Sequence, residues 1–184
     1  MKTINLFLLV FLFSITINAQ VKADYNKDTD FEAFKTYRIV GWQENSDKIL
    51  NDFDKQRILN AINAELEARS MSAVKSNADL DITLFIVVQE KTTTTAYTTY
   101  NTGMGYRGRW GWGYGGMGSA NTTYSDYDYK EGTFVMDMYN GSSKELVWQG
   151  VITSKVNEKS KKREKTIPKN VKKLMKKYPI KPKK

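Results

Sequence analysis

Two pairs of carboxylates have the spacing that acid–base chemistry on a sugar would need. Asp79 with Asp81, and Asp126 with Asp128, are two positions apart, so each pair shares one side of a β-strand. Glycoside hydrolysis uses two carboxylates about 5–9.5 Å apart, one of them with a raised pKa. Many solvated strand faces have the same spacing, and nothing in the sequence supplies the raised pKa. A carbohydrate-active enzyme that uses carboxylates near a long hairpin is therefore only the alternative interpretation.

A second polar run has the every-second-residue spacing of a calcium loop: Asp24, Asn26, Asp28 and Asp30. The position that needs a glycine is Thr29, and the position of the bidentate glutamate is Lys35, so the pattern favours a polar turn. The chain contains no Cys and no His, which excludes Ser-His-Asp and Cys-His machinery and imidazole-bound zinc. We predict no catalytic residue, no metal site and no cofactor.

Four aromatic residues among glycines form a candidate binding group: Tyr106, Trp110, Trp112 and Tyr114. Residues 91–130 hold 8 of the 12 Gly, 7 of the 11 Tyr and 2 of the 4 Trp, and their flanks are rich in β-prone Thr and Tyr. The simplest geometry is a long hairpin whose tip is residues 103–118. We expect this tip to be mobile in the isolated protein and ordered against an envelope protein or a second copy. The alternative is a flexible spacer whose aromatics make only transient contacts.

The positive charge is concentrated at the C-terminal end. Residues 155–184 carry 14 Lys or Arg and 2 Glu, whereas residues 20–154 carry 14 basic and 18 acidic residues. The candidates for contact with anionic lipid or lipopolysaccharide are Lys172, Lys173, Lys176 and Lys177. The pattern favours a solvated amphipathic helix that docks through Val171 and Leu174 and then frays. Because the chain carries an export signal, we expect no nucleic-acid partner.

The first 19 residues are typical of a secretory signal peptide. Lys2 is followed by an apolar run over residues 6–17 and by Ala19 at a plausible cleavage site. The run has about 12 residues, whereas a membrane-spanning helix needs roughly 20. Since no Cys follows the run, we expect an exported protein, periplasmic or associated with the outer membrane, that is not a lipoprotein.

Hydrophobic periodicity predicts the elements that must position these residues. Residues 52–70 have a helical period, with Ser46 and Asp47 as caps, and residues 79–90 alternate as an interior strand. Further strands are predicted at residues 21–25, 37–41, 133–139 and 146–152. A last helix begins after Ile167, with Pro168 in its first turn. The strand–helix–strand order predicts a crossover connection.

These elements predict one α+β domain over residues 20–184, in the order ββαβββα. We expect a mixed, mainly antiparallel sheet of about five strands with two helices packed on one face. The long hairpin at residues 91–130 projects beyond that sheet, and residues 155–184 form a Lys-rich C-terminal segment.

Three stretches, in order, resemble the family called domain of unknown function 4136. They are residues 24–37 (DYNKDTDFEAFKTY), residues 131–137 (EGTFVMD) followed by 146–150 (LVWQG), and residues 171–179 (VKKLMKKYP). The resemblance implies an exported bacterial envelope protein with a mixed sheet and two helices. Many members are lipoproteins, from which this chain departs by lacking the cysteine, and the family has no established catalytic residues. We therefore expect a non-catalytic binding or assembly module of the cell envelope.

Overall fold

In a computed structural model that describes residues 19–101 and 119–183, the strands form one mixed six-stranded sheet. The strands are β1 (Gln20–Tyr25), β2 (Thr36–Trp42), β3 (Ser72–Ala73), β4 (Leu80–Asn101), β5 (Ser119–Asn140) and β6 (Leu146–Lys155). The helices are α1 (Asp52–Glu67) and α2 (Ser160–Met175), and a 3₁₀ helix (Gln43–Ile49) follows β2. Across the sheet the order is β1-β6-β5-β4-β2-β3.

The α+β class and the ββαβββα order are confirmed, with six strands rather than five. The additional strand, β3, has two residues and pairs in parallel with Thr36 and Tyr37 of β2. A strand of that length is too short to show any alternation in the sequence. β2 and β4 pair in parallel with α1 between them, which is the pairing that the predicted crossover requires.

One face of the sheet forms the hydrophobic core. The inward side chains of β4, β5 and β6 are buried at every second position: Leu80, Ile82, Leu84, Phe134, Met136, Met138, Trp148 and Ile152. They pack with Ile58, Ile62 and Leu66 of α1 and with Val171 and Leu174 of α2. The period of two on the strands and of 3.6 on the helices therefore gives both layers one shared apolar surface.

The Arg69 side chain fastens the C-terminal segment to the end of α1. It is 5% exposed, and it donates to the backbone carbonyls of Met175 and Ile180 and to Glu65. The Lys183 N–H also donates to the Ala68 carbonyl, at 2.8 Å. The predicted fraying after the amphipathic C-terminal helix is therefore wrong, because these bonds dock the segment that follows it.

β4 and β5 extend far beyond the core, as the Thr/Tyr-rich flanks predict. Their antiparallel register is unbroken from Leu80↔Asn140 to Asn101↔Ser119, whereas β6 pairs with β5 only as far as Glu131↔Lys155. Residues 91–101 and 119–129 therefore form a two-stranded extension, here called the ribbon. Within the described part of the chain, no other strand pairs with it.

The predicted caps of the first helix and the predicted start of the second are wrong. The N-cap of α1 is Asn51, whose side chain accepts from the Asp54 N–H, while Ser46 and Asp47 lie in the 3₁₀ helix. There the Ser46 hydroxyl accepts from the Ile86 N–H at 3.2 Å, beyond the end of β2. A serine before a helical period is an ordinary cap signal, but this one bonds a neighbouring strand instead.

The second error concerns α2, which begins at Ser160, so Pro168 lies inside the helix rather than in its first turn. The turns before Pro168 are rich in lysine and lack the apolar spacing that would have marked them. Arg163 anchors them instead, because its guanidinium donates to the buried Asp54 carboxylate of α1 and to the Asn157 carbonyl.

Candidate binding site at the base of the ribbon

An apolar cleft of about 580 Å³ opens between the helices and the sheet, where the ribbon leaves the core. Its floor consists of side chains from the core-facing side of the three central strands: Ile86, Val88, Phe134 and Ile152. Its walls come from Leu50, from Ile58 of α1, and from Ile167 and Val171 of α2. Mostly apolar pockets of about 300–1,000 Å³ with a few polar groups are typical of ligand sites.

Gly132 shapes the floor of the cleft. A Cβ at this position would lie 3.1 Å from the Val156 Cγ2 atom and 4.0 Å from the Val88 side chain. The absence of a side chain lets Val156 approach the sheet just after β6 ends. The floor therefore stays shallow and apolar between the two strands that continue into the ribbon.

A buried ion cluster fixes the two walls of the cleft relative to each other. Asp54, 4% exposed, bonds Arg57 of its own helix at 2.6 Å and Arg163 of α2 at 2.7 Å. Arg57 belongs to α1 and Arg163 to α2, so their shared carboxylate holds the beginnings of the two helices together. Asn170 closes the inner end by donating to the Ser154 hydroxyl at 3.0 Å.

The ribbon face that continues the cleft floor is acidic. By strand alternation, Glu90, Asp126 and Asp128 lie on the same side as Val88 and Gly132. Asp128 accepts from the Thr92 hydroxyl at 2.8 Å and Asp126 from the Thr94 hydroxyl at 2.7 Å. The Glu90 carboxylate lies 3.7 Å from the Lys130 ammonium, and both side chains are largely exposed. Two hydroxyls and one lysine thus partner three solvated carboxylates.

The opposite face of the ribbon base has a different character. Lys155 places its ammonium over the Tyr127 ring, 4.1 Å from the centroid, and 5.1 Å from that of Tyr129. Its charge is thereby held on the side of the sheet away from the helices. The two faces of one ribbon therefore differ, with carboxylates on the cleft side and tyrosines with a lysine on the other.

The first carboxylate pair is held ionised at the other end of the sheet. Asp79 accepts from the Lys35 and Thr36 N–H groups, both at 2.8 Å, and these bonds lower its pKa. Asp81 is bonded by Lys144 and Arg38, which lower its pKa too. A general acid in glycoside hydrolysis needs a raised pKa, so the alternative catalytic interpretation finds no acid in this pair.

The calcium-like run forms turns. The Asn26 side chain accepts from the Asp28 N–H and the Asp30 side chain from the Glu32 N–H, at 2.9 and 3.0 Å. Such local bonds between a side chain and the N–H two residues on are typical of the polar turn that the sequence predicts. Across the described residues, no group of three or more His, Cys, Asp or Glu side chains could hold a metal ion.

The predicted binding residues fall into two sets. The four tip aromatics, Tyr106, Trp110, Trp112 and Tyr114, lie outside the described residues. The four lysines lie at the end of α2 and just after it, with Lys172, Lys176 and Lys177 exposed and Lys173 half-buried. None of the four forms an ion pair with another residue that the structure describes.

Sequence reasoning missed the cleft itself. Its lining combines residues from three strands, both α-helices and the 3₁₀ helix, and many of its apolar residues look like ordinary core positions in the sequence. The one local signal was Arg57 three positions after Asp54, a spacing that places both on one helix face. Arg163, which completes the cluster, is 109 positions away from Asp54 in the chain.

No described helix has the length and apolar character needed to cross a membrane.

Comparison with known proteins identifies a family and a fold. The family described as "Domain of unknown function (DUF4136)" matches residues 21–180. No curated protein matches the chain. Among solved structures, a PDZ domain protein from Parabacteroides distasonis superposes with a TM-score of 0.52 and 16% identity, over 89% of this chain and 37% of that one. A PelC dodecamer from Paraburkholderia phytofirmans gives a TM-score of 0.46 and 10% identity, over 86% and 95% of the two chains.

Proposed function

We propose that this chain, which belongs to the DUF4136 family, is a non-catalytic binding or assembly module of the cell envelope that acts through the far end of its ribbon. The family is one of unknown function, so the proposal depends on the shape and chemistry of this molecule. The leader-like first 19 residues support export.

The observation that carries the proposal is the ribbon. Eleven residue pairs, from Lys91↔Tyr129 to Asn101↔Ser119, continue past the last residue of β6. An isolated two-stranded hairpin is marginally stable in water, and its unpaired edges invite another chain. The exposed threonines of the ribbon bury no core surface. Ordering such an extension costs conformational entropy that no core burial offsets. We therefore expect the residues at its end to bind a partner.

The chemistry at that end fits binding to a protein. The tip contains Tyr106, Trp110, Trp112 and Tyr114 among eight glycines. Aromatic side chains give a large contact area at a low entropic cost, and they dominate the binding energy of interfaces. The partner is an envelope protein or a second copy of the chain.

Crosslinking in living cells tests the proposal directly. A photoreactive amino acid replaces Trp112, and a matched control carries it at the exposed Lys75, which follows β3 at the end of the sheet opposite the ribbon. We expect adducts of defined mass from position 112 and not from position 75. Position 112 without adducts, or the same adducts from both positions, would contradict the proposal.

A second contact with anionic lipid or lipopolysaccharide is favoured by the lysines at the end of α2. Arg69 fixes this end of the molecule, so the exposed charges of Lys172, Lys176 and Lys177 sit on a stable support. Vesicles of anionic lipid are mixed with the protein and with a variant in which all four lysines are Gln. Sedimentation with the vesicles should be lost in the variant and should weaken as salt is added. Equal sedimentation of both proteins would leave these lysines without that role.

A further inference from the structure

We infer that the cleft at the base of the ribbon receives the tip of a second copy of this chain, so that the molecules associate head to tail. The inference rests on the proposed function, in which the tip binds a partner, and it names both the partner and the surface that the tip contacts.

The cleft has the apolar surface that aromatic side chains would cover. Ile86 and Val88 on its floor and Ile167 on its wall are only partly buried. An exposed apolar surface rimmed by polar groups is typical of an interaction site. Trp and Tyr side chains bury large areas, which makes them suitable occupants of a pocket of this size.

The charges of the two surfaces are complementary. The tip carries Arg107 and Arg109 and no acidic residue. The approach to the cleft carries Glu90, Asp126 and Asp128 on the ribbon face, and Glu158 at the opposite rim forms no ion pair with a described residue. Lys130 offsets one of these charges, and Arg163 is already paired with Asp54. Lys155 also lines the cleft, but its ammonium lies over the Tyr127 ring. A cationic, aromatic segment therefore meets an apolar floor with an acidic approach.

The length of the ribbon requires that the tip come from another molecule. From Val88 to Asn101 there are 13 residues, which at about 3.3 Å per residue span roughly 43 Å. Residues 102–118, joined to the ribbon at both ends, reach back over at most half their number, or about 30 Å at full extension. A tip cannot enter its own cleft, and contact between two different surfaces of identical copies is a heterologous interface.

Two protein variants test the inference, one without the tip and one with a blocked cleft. One variant lacks the tip, with residues 103–118 replaced by Asn-Gly, which leaves Thr102-Asn-Gly as a three-residue hairpin loop. The other, Val88→Trp, fills the cleft from its floor. Val87→Trp is the matched control, because Val87 is the neighbouring residue on the opposite face of β4 and is already 36% exposed.

Analytical ultracentrifugation measures the association of each protein. We expect wild type and Val87→Trp to associate, and the tip-deleted and Val88→Trp proteins each to associate about 100-fold more weakly, the loss typical of an interface hot spot. A mixture of the two defective proteins should form a 1:1 dimer that grows no further, because one intact tip then meets one intact cleft. Circular dichroism establishes that Val88→Trp is folded, and Ile167→Trp, from the α2 wall, provides a second blocked cleft.

A charge exchange tests the same contact without filling the cleft. Arg107→Glu with Arg109→Glu should weaken association, and adding Glu90→Lys with Glu158→Lys should restore it.

The outcomes separate the inference from the proposed function. If the tip-deleted protein is monomeric while both cleft-blocked variants associate as wild type does, the tip binds elsewhere and only the inference is overturned. A wild-type protein that stays monomeric also overturns it, whereas crosslinks from position 112 to another envelope protein would leave the proposed function intact. If the tip-deleted protein associates as wild type does and position 112 of the intact protein gives no adducts, both are overturned.

Discussion

The inner and outer halves of β4 and β5 share one continuous antiparallel register, but the inner half is buried against the helices and the outer half is exposed to solvent. In the inner half, every second side chain is buried under the two helices, with Leu84 and Met136 at 0% exposure. In the outer half, Thr92 to Thr95 are exposed, and cross-strand partners such as Thr94 and Asp126 form hydrogen bonds that are exposed to solvent. Strand pairing can therefore continue without a core, but we expect the core alone to supply the stability.

The largest effect should come from the inner half. Leu84→Ala removes a fully buried side chain and should cost about 2–5 kcal/mol of unfolding free energy, because the cavity cannot fully collapse. The matched change in the outer half, Thr93→Ala, should stay within about 0.5 kcal/mol. Denaturant unfolding of both variants measures the contrast, and a loss of similar size in each would show that the ribbon belongs to the core.

The next largest effect on the unfolding free energy should come from removing a buried carboxylate rather than an exposed one. Asp54→Ala leaves Arg57 and Arg163 without their shared partner, and we expect a cost of about 2–3 kcal/mol, since both arginines retain some solvent. Asp126→Ala removes only an exposed bond to Thr94 and should cost less than about 0.5 kcal/mol. Thermal unfolding compares the two, and equal losses would mean that the ion cluster does not hold the helices.

Acid should weaken the end of the sheet far from the ribbon. The bond from Lys144 and the ion pair with Arg38 lower the pKa of Asp81. The stability it contributes is therefore present above the ordinary aspartate pKa of about 4 and is lost as pH falls through the lower folded-state pKa. Asp81→Asn should be about 1 kcal/mol less stable than wild type at neutral pH and should converge with it in strong acid. A melting-temperature gap that stays constant from neutral to acid pH would argue against this linkage.

A smaller effect of opposite sign is expected inside the core. The Tyr178 hydroxyl is buried without a hydrogen-bond partner among the described residues, beside the Trp148 ring. Tyr178→Phe removes this unpaired group while keeping the ring contacts, so it should leave stability unchanged or raise it by up to about 1 kcal/mol. Chemical denaturation checks this, and a clear loss would reveal a partner for the hydroxyl.

The smallest effect should follow from replacing residues 103–118 by Asn-Gly. The described core residues of the sheet and the helices pack against one another, so we expect the unfolding free energy to change by less than about 0.5 kcal/mol. Calorimetry of the shortened protein measures it. If the shortened protein unfolds or loses several degrees in melting temperature, the aromatics belong to the core and the binding proposal fails.

The amino-acid sequence by itself determined those parts of the molecule in which a local pattern implies a surface. Alternation in residues 79–90 and the helical period in residues 52–70 predicted β4 and α1, because each period repeats one buried face. The β-prone flanks of the glycine-rich stretch predicted a long hairpin, because Thr and Tyr suit a pleated strand even where no core covers it. Resemblance over three short stretches gave the family.

Only the tertiary structure decided the features that join distant residues. Asn51 rather than Ser46 caps α1, because Ser46 lies in the 3₁₀ helix after β2 and its hydroxyl accepts from the Ile86 N–H of β4. The start of α2 moved to Ser160, ahead of Pro168, and Arg163 in its first turns bonds the Asp54 carboxylate. The cleft follows from that contact, because two helix beginnings held together at one carboxylate leave a gap above Val88 and Gly132. Such a gap depends on distances between elements, which no periodicity within a single element records.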